Sequence, residues 1–329
     1  MEAYSKDLAV SVSVESGFES ESDTRIEIKE RSFETISNSR FSIPELALKI
    51  ILLASTSVTV LTTVSIIYII SREAFSFFQT VPLTDFLLGT EWQPLIYPAK
   101  YGVLPLVLGS SLIVILSISI ALPIGLLIAT YLSEFASFSI RSVVKPFLEI
   151  LAGIPTVVYG YFALTFVTPL LMTYFPDIEV FNAASAGIVV GIMILPMVSS
   201  LCDDAFQAVP KSLKEAGYGL GATHFELIRD ILIPAASFRI IAAIILAISR
   251  ALGETMAVTL AAGATPNMEF GFLKSIQTMT AYIVEVSLGD TPSGGIEYLT
   301  CYAVAALLFV TTFVLNIVGN RYMKSAKRG

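Results

Sequence analysis

Charge is what this chain has least of. Only 14% of its 329 residues are Asp, Glu, Lys or Arg, against about 25% in a soluble domain. With 55% hydrophobic residues, the composition is that of a polytopic membrane protein. Two cysteines and one histidine argue against a disulfide scaffold or a zinc cluster. Cys202 and Cys301 fall near opposite ends of their apolar segments. In the topology below they lie on opposite sides of the membrane, beyond the ~7 Å Cα limit for a disulfide, and read as small apolar fillers. A positively charged start followed by an apolar run is missing, so no signal peptide is visible.

The net charge of −7 misleads, because residues 1–45 hold ten acidic and five basic side chains. Residues 1–40, rich in Ser and Glu, lack a sustained apolar run and read as a disordered acidic tail. A brief alternation at Val10, Val12 and Val14 is too short to define a strand. Beyond the tail, six segments are long enough to cross ~30 Å of hydrocarbon, which takes about 20 apolar residues. They run over about 46–70, 104–132, 147–171, 184–201, 239–262 and 298–320. Pro123 and Gly125 predict a kink or local unwinding in the second, and Pro155 is a second candidate break. Trp92, Tyr97 and Tyr101 suit a membrane interface.

Basic residues orient the spans. With the N-terminus in the cytoplasm, Arg141, Lys145, Lys211, Lys214, Arg229, Arg239, Arg321, Lys324, Lys327 and Arg328 are inside. Only Arg72, Lys100 and Lys274 are outside, a clear positive-inside bias. Both termini are then cytoplasmic, as is the loop of residues 203–238. The connections over 71–103 and 263–297 face out and would meet an external receptor.

Within that cytoplasmic loop lies a charged island, Lys211–Pro234. Ser212-x-x-Glu215 and Thr223-x-x-Glu226 are two capping boxes, predicting two short helices at an angle. Gly217, Gly219 and Gly221 end the first and turn the chain. The first helix has an apolar side of Leu213, Ala216 and Leu220, able to dock into a groove on another protein. An ordinary amphipathic loop gives the same pattern. Gly217-x-Gly219-x-x-Ala222 fits a relaxed dinucleotide fingerprint but follows a helix instead of a strand. A helix-turn-helix domain would need a further helix and a basic face. His224, at the start of the second helix, reads equally as a partner contact or a solvated turn residue.

The spacing carries a resemblance. Glu215-Ala216-Gly217, then Gly221 after three residues, then Ile231-x-Ile233-Pro234 after nine more, resembles the EAA motif of ABC-importer membrane subunits. Gly217 replaces the second Ala of that motif and Ile233 replaces Leu, with the spacing intact. The resemblance implies that the first short helix is a coupling helix seated in a cleft of a separate ATPase. No G-x-x-x-x-G-K-[ST] loop is present, so this chain is read as a translocation subunit and not an enzyme, with ATP hydrolysed by the partner.

Arg250 and Glu254 sit inside the fifth predicted span, four apart and so expected on one helix face. Ionisable residues at that depth cost ~2.5–3.5 kcal/mol and usually face the protein interior. A structural ion pair is one reading and a polar step on a substrate path the other. For such a path the pair favours a protonatable oxyanion. Arginine presents a planar fork of donors to phosphate. Glu254 can accept a hydrogen bond from a phosphate OH and would repel fully ionised sulfate.

R-A-L-G-E-T-M-A-V at Arg250–Val258, L-E-I-L-A-G-I-P-T-V-V-Y-G at Leu148–Gly160 and Y-G-V-L-P-L-V-L-G-S at Tyr101–Ser110 resemble the phosphate ABC-transporter permeases of the PstC type. The likeness runs from about Phe41 to the C-terminus. It implies an all-α integral membrane protein with the type I ABC importer permease fold, placed in the cytoplasmic (inner) membrane. Its implied partners are a homologous PstA-type permease, a PstB-type ATPase dimer and an extracytoplasmic phosphate-binding protein. It also implies that Arg250 and Glu254 lie on the phosphate path. Gly153 and Gly160 read as close-packing positions, and Lys145 with Glu149 as an interfacial pair. Alternatives are a permease for sulfate, molybdate or another oxyanion, an ion-coupled secondary transporter, and a membrane scaffold acting through its tail.

Overall fold

The structure is a computed structural model describing residues 43–289, 291–292 and 294–326. The acidic tail, with its alternating valines, lies outside the described residues. So do the side chain of Lys324 and the residues Lys327 and Arg328.

The chain divides into two units, Met1–Ser65 and Ile66–Gly329. The described part of the first is the N-terminal portion of helix α1 (Ile43–Phe78), whose residues 46–65 are exposed throughout. Its hydroxyls do not compete with the apolar surface. Thr56 Oγ1 donates to the Leu52 carbonyl at 2.8 Å and Thr62 Oγ1 to that of Val58 at 2.8 Å, one helical turn back. Such back-bonding leaves the helix surface beyond Lys49 largely apolar, suited to lipid.

The second unit is almost entirely helical. α2 (Leu83–Leu88) precedes a two-residue antiparallel ribbon, β1 (Trp92–Gln93) with β2 (Lys100–Tyr101). α3 (Leu104–Phe135), α4 (Phe138–Ala152), α5 (Thr156–Tyr174) and α6 (Ala183–Gln207) follow. Then come α7 (Lys211–Gly219), α8 (His224–Leu252), α9 (Met256–Ala262), α10 (Met279–Leu288) and α11 (Ile296–Ala326). Six helices, α1, α3, α5, α6, α8 and α11, are long and apolar enough to span.

α6 is the central post of this unit, buried on most sides. α3 lies along it because small residues remove the spacing that side chains impose. A Cβ at Gly187 would stand 2.5 Å from Leu116 Cβ, and one at Gly191 would stand 3.1 Å from the Ser117 carbonyl. A second core surrounds the start of α3, where Phe77, Phe86, Trp92 and Tyr282 meet edge to face. Trp92 is therefore buried at 2% exposure and not an interface residue, whereas Tyr97 is 95% exposed.

Three span expectations are corrected. α3 continues through Pro123 without unwinding. The predicted third span over 147–171 is two helices. α4 is a separate amphipathic helix opened by the Ser137 hydroxyl, the chain breaks at Gly153–Pro155, and the span is α5. The predicted fifth span over 239–262 starts earlier and stops sooner, at α8, with α9 beyond a break. The second short helix of the island is thus no separate element, because it runs directly into α8. Its π-helical turn, Leu227–Leu232, precedes Pro234, and a like turn, Ala163–Val167, precedes Pro169 in α5. Proline lacks an N–H and its ring crowds the carbonyl four residues back, so a widened turn lets the helix pass.

Candidate translocation site and its coupling loop

The break after α8 separates the two expected site residues. Gly253 caps α8 with φ −87° and ψ −2°, and Thr255 precedes α9 with φ −118° and ψ −64°. Arg250 is in the last turn of α8, and Glu254 is in the break. They do not share a helix face, and none of the ion pairs among the described residues joins them. The i, i+4 expectation fails because Gly253 ends the helix between them.

Glu254 is buried at 8% exposure. Its Oε1 accepts the Ala257 N–H at 3.2 Å, satisfying an amide in the first turn of α9 and placing negative charge where that helix favours it. Its carbonyl accepts the Thr280 hydroxyl at 2.7 Å, tying the break to α10. α9 is seated against α5 at Gly160, where an added Cβ would stand 2.9 Å from Leu260 Cβ and 3.0 Å from Ala257 Cα. Gly160 is thus a close-packing position. Gly153 is not: it caps α4, with only that helix's own carbonyls nearby.

Arg250 is exposed to a cavity of about 490 Å³. Lys145 and Glu149 of α4 and Asp203 and Asp204 of α6 line the same cavity. Asp203 is fully buried, and its oxygens accept from Arg141 Nη2 at 3.0 and 2.8 Å and from Gln207 Nε2 at 2.8 Å. Lys145 Nζ lies 2.8 Å from Asp203 Oδ2 and 4.0 Å from Asp204 Oδ1. The expected pairing of Lys145 with Glu149 is therefore replaced by one to α6. Sequence reasoning missed Asp203 altogether. Its available signal was an Asp-Asp step just beyond the fourth apolar run, opposite two basic residues one helical turn apart at 141 and 145.

The loop between α6 and α8 is built differently. Pro210 precedes α7, so Ser212 lies inside that helix and its expected capping box does not form. The Thr223–Glu226 box does form, each side chain accepting the other residue's backbone N–H, at 3.3 and 2.8 Å. Gly217 lies within α7, not between helices. It is buried, and a Cβ there would stand 2.6 Å from Ile231 Cδ1 and 2.9 Å from Leu227 Cδ1. The two halves of the spaced motif thus touch, and a side chain as small as alanine would need only the tips of Ile231 and Leu227 to move, whereas a larger one would overpack the contact. Gly221 makes the turn with φ +86°. Lys214 Nζ meets Glu134 Oε1 of α3 at 2.6 Å, and the Tyr218 hydroxyl lies 2.6 Å from His224 Nδ1. Glu215, Ala216 and Pro234 are exposed, as are Leu213 at 42% and Leu220 at 90%.

Comparison with known proteins places this architecture. Residues 121–327 match the family model of the binding-protein-dependent transport system inner membrane component. The chain is 36% identical over 244 residues to a probable ABC transporter permease protein, YqgH, of Bacillus subtilis, covering 74% of this chain and 78% of that one. It is 33% identical over 256 residues to the phosphate transport system permease protein PstC of Haemophilus influenzae, covering 71% and 79%. Among solved structures, a bacterial ABC transporter involved in alginate import superposes with a TM-score of 0.60 at 15% identity, over 86% of this chain and 98% of that one. The MetNI methionine ABC transporter gives 0.52 at 15% identity, over 68% and 94%. These structures show a shared fold, that of type I importer permeases. The chain belongs to the binding-protein-dependent transport system inner membrane component family, as a multi-pass ABC transporter permease subunit of the PstC type.

Proposed function

We propose that this subunit carries inorganic phosphate into the cytoplasm, driven by ATP hydrolysis in a separate PstB-type ATPase dimer. A homologous PstA-type permease completes the pore, and an extracytoplasmic phosphate-binding protein delivers the cargo. Both termini and the α6–α8 loop face the cytoplasm, as the distribution of basic residues supports. Relatives named as phosphate permeases favour this cargo.

The observation that carries the reading is Arg250 facing a cavity at a broken span, with the buried carboxylate of Glu254 in the break. Broken helices inside a membrane protein line cavities and substrate sites. Arg250 offers its donor fork to the phosphate oxygens. Glu254 holds α9 in place through Oε1 and accepts a hydrogen bond from a phosphate OH, which fully ionised sulfate cannot offer. α7, with Glu215, Ala216, Gly217 and Gly221 and its brace at Ile231 and Pro234, is the lever that docks on the ATPase. Exposed Leu213, Ala216 and Leu220 supply its apolar docking face.

The test is labelled-phosphate uptake in cells lacking the chain, complemented with wild type, Arg250→Ala or Glu254→Gln. The glutamine keeps an oxygen to accept the Ala257 N–H, so assembly is retained while uptake falls. Normal phosphate uptake by both variants would refute the assignment.

A further inference from the structure

We propose that Lys145 is a second oxyanion station on this path, between Arg250 and the cytoplasm, with Asp203 as its exchangeable counter-ion. This rests on the phosphate reading above and adds a step to it.

One cavity joins the two cations. Arg250 reaches it from α8 and Lys145 from α4. Its volume of about 490 Å³ holds on the order of fifteen waters at ~30 Å³ each. An oxyanion entering this cavity therefore meets both cations on one wall system.

The pairing at Asp203 frees Lys145 to take part. Removing one partner from a buried ion pair is ordinarily costly, because a charge is left uncompensated. Asp203 escapes that penalty: Arg141 grips both oxygens and Gln207 donates a further hydrogen bond. Lys145 can swing away and leave the carboxylate satisfied. Its side chain is 35% exposed, while that of Asp203, on the same cavity wall, is fully buried. An ammonium on a flexible stem, with three rotatable donors, suits a transient partner better than a planar guanidinium does.

The neighbours keep the station weak. Asp204 lies 4.0 Å from Lys145, and Glu149 shares the cavity wall. Both repel an anion. A path needs sites attractive enough to enter and weak enough to leave. An arriving phosphate exchanges with Asp203 for the ammonium, and Asp203 reclaims it as the phosphate departs.

The experiment uses the whole importer in vesicles, with Lys145→Cys placed in a Cys202→Ala/Cys301→Ala background. Phosphate transport is measured before and after treatment with a cationic aminoethyl thiosulfonate or a neutral analogue of similar size. Loss of one charge-assisted contact predicts an approximately tenfold lower maximal rate. The external phosphate concentration for half-saturation stays unchanged, because the path's inner end does not set capture. The cationic reagent restores most of the rate and the neutral one does not. A clamp that only joins α4 to α6 would not show this charge-selective rescue. Lys145→Gln should match the untreated cysteine variant. Wild-type rates in both variants, equal rescue by both reagents, or failure of Lys145→Gln to assemble would each overturn the proposal. A background importer, with Lys145 intact, that carries no phosphate sinks the underlying reading instead.

Discussion

On the proposed function, the α6–α8 loop and the break after α8 carry different halves of the machine, and the two are held together by different forces. In the loop, the spaced motif is closed by apolar contact: Gly217 sits under Ile231 and Leu227, and a branched side chain there would overpack it. At the break, polar groups hold the chain. Glu254 caps α9, Thr280 ties the break to α10, and Arg250 faces an open cavity. Packing suits the proposed lever, and exchangeable polar bonds suit the proposed site. Residues in the loop should therefore govern association with the ATPase, and residues at the break should govern what is carried.

Substitutions can break this division. Arg250→Ala should have the largest effect, lowering phosphate transport about 30-fold, since losing hydrogen bonds to a charged group costs about 2 kcal/mol. The amount of ATPase co-purifying with the chain should not change. Gly217→Val should do the reverse. Overpacking costs about 1–3 kcal/mol, α7 should lift from α8, and the bound ATPase fraction in a pull-down should fall. Gly160→Val imposes a similar overpacking cost on α9, so transport should fall while the ATPase stays bound. Thr223→Ala removes a cap worth about 1 kcal/mol, and a modest drop in thermal midpoint would register it. Lys214→Gln should be the mildest, because glutamine can still donate to Glu134 Oε1, read as a small loss of bound ATPase. A loop variant that changed cargo preference, or a break variant that shed the ATPase, would erase the distinction.

Legibility in the sequence follows the same division. Hydropathy located all six spans, because twenty apolar residues need no long-range information to be recognised. The motif spacing was equally plain, and the contact between Gly217 and Ile231 gives its physical reason. The break was not read, although Gly253, Glu254 and Thr255 interrupt the apolar run there, because a helix was carried through them on hydropathy alone. The Gly153–Pro155 break was half visible. Pro155 marked it, but the apolar stretch hid that α4 is a separate amphipathic helix. α6 runs past Leu201 to Gln207 with a buried aspartate in its last turns, since Arg141 and Lys145 neutralise Asp203 from another helix. That compensation is a tertiary fact, hinted at locally only by the Asp203-Asp204 step. Ser212 looked like a cap, but the helix began one residue earlier, after Pro210.

The most direct test places both regions in one reconstituted importer and measures ATP hydrolysis and phosphate transport side by side for wild type, Arg250→Ala and Gly217→Val. The account predicts that Arg250→Ala keeps its ATPase bound and hydrolysing while transport collapses, and that Gly217→Val loses both together. Phosphate carried by Arg250→Ala at the wild-type rate would contradict it.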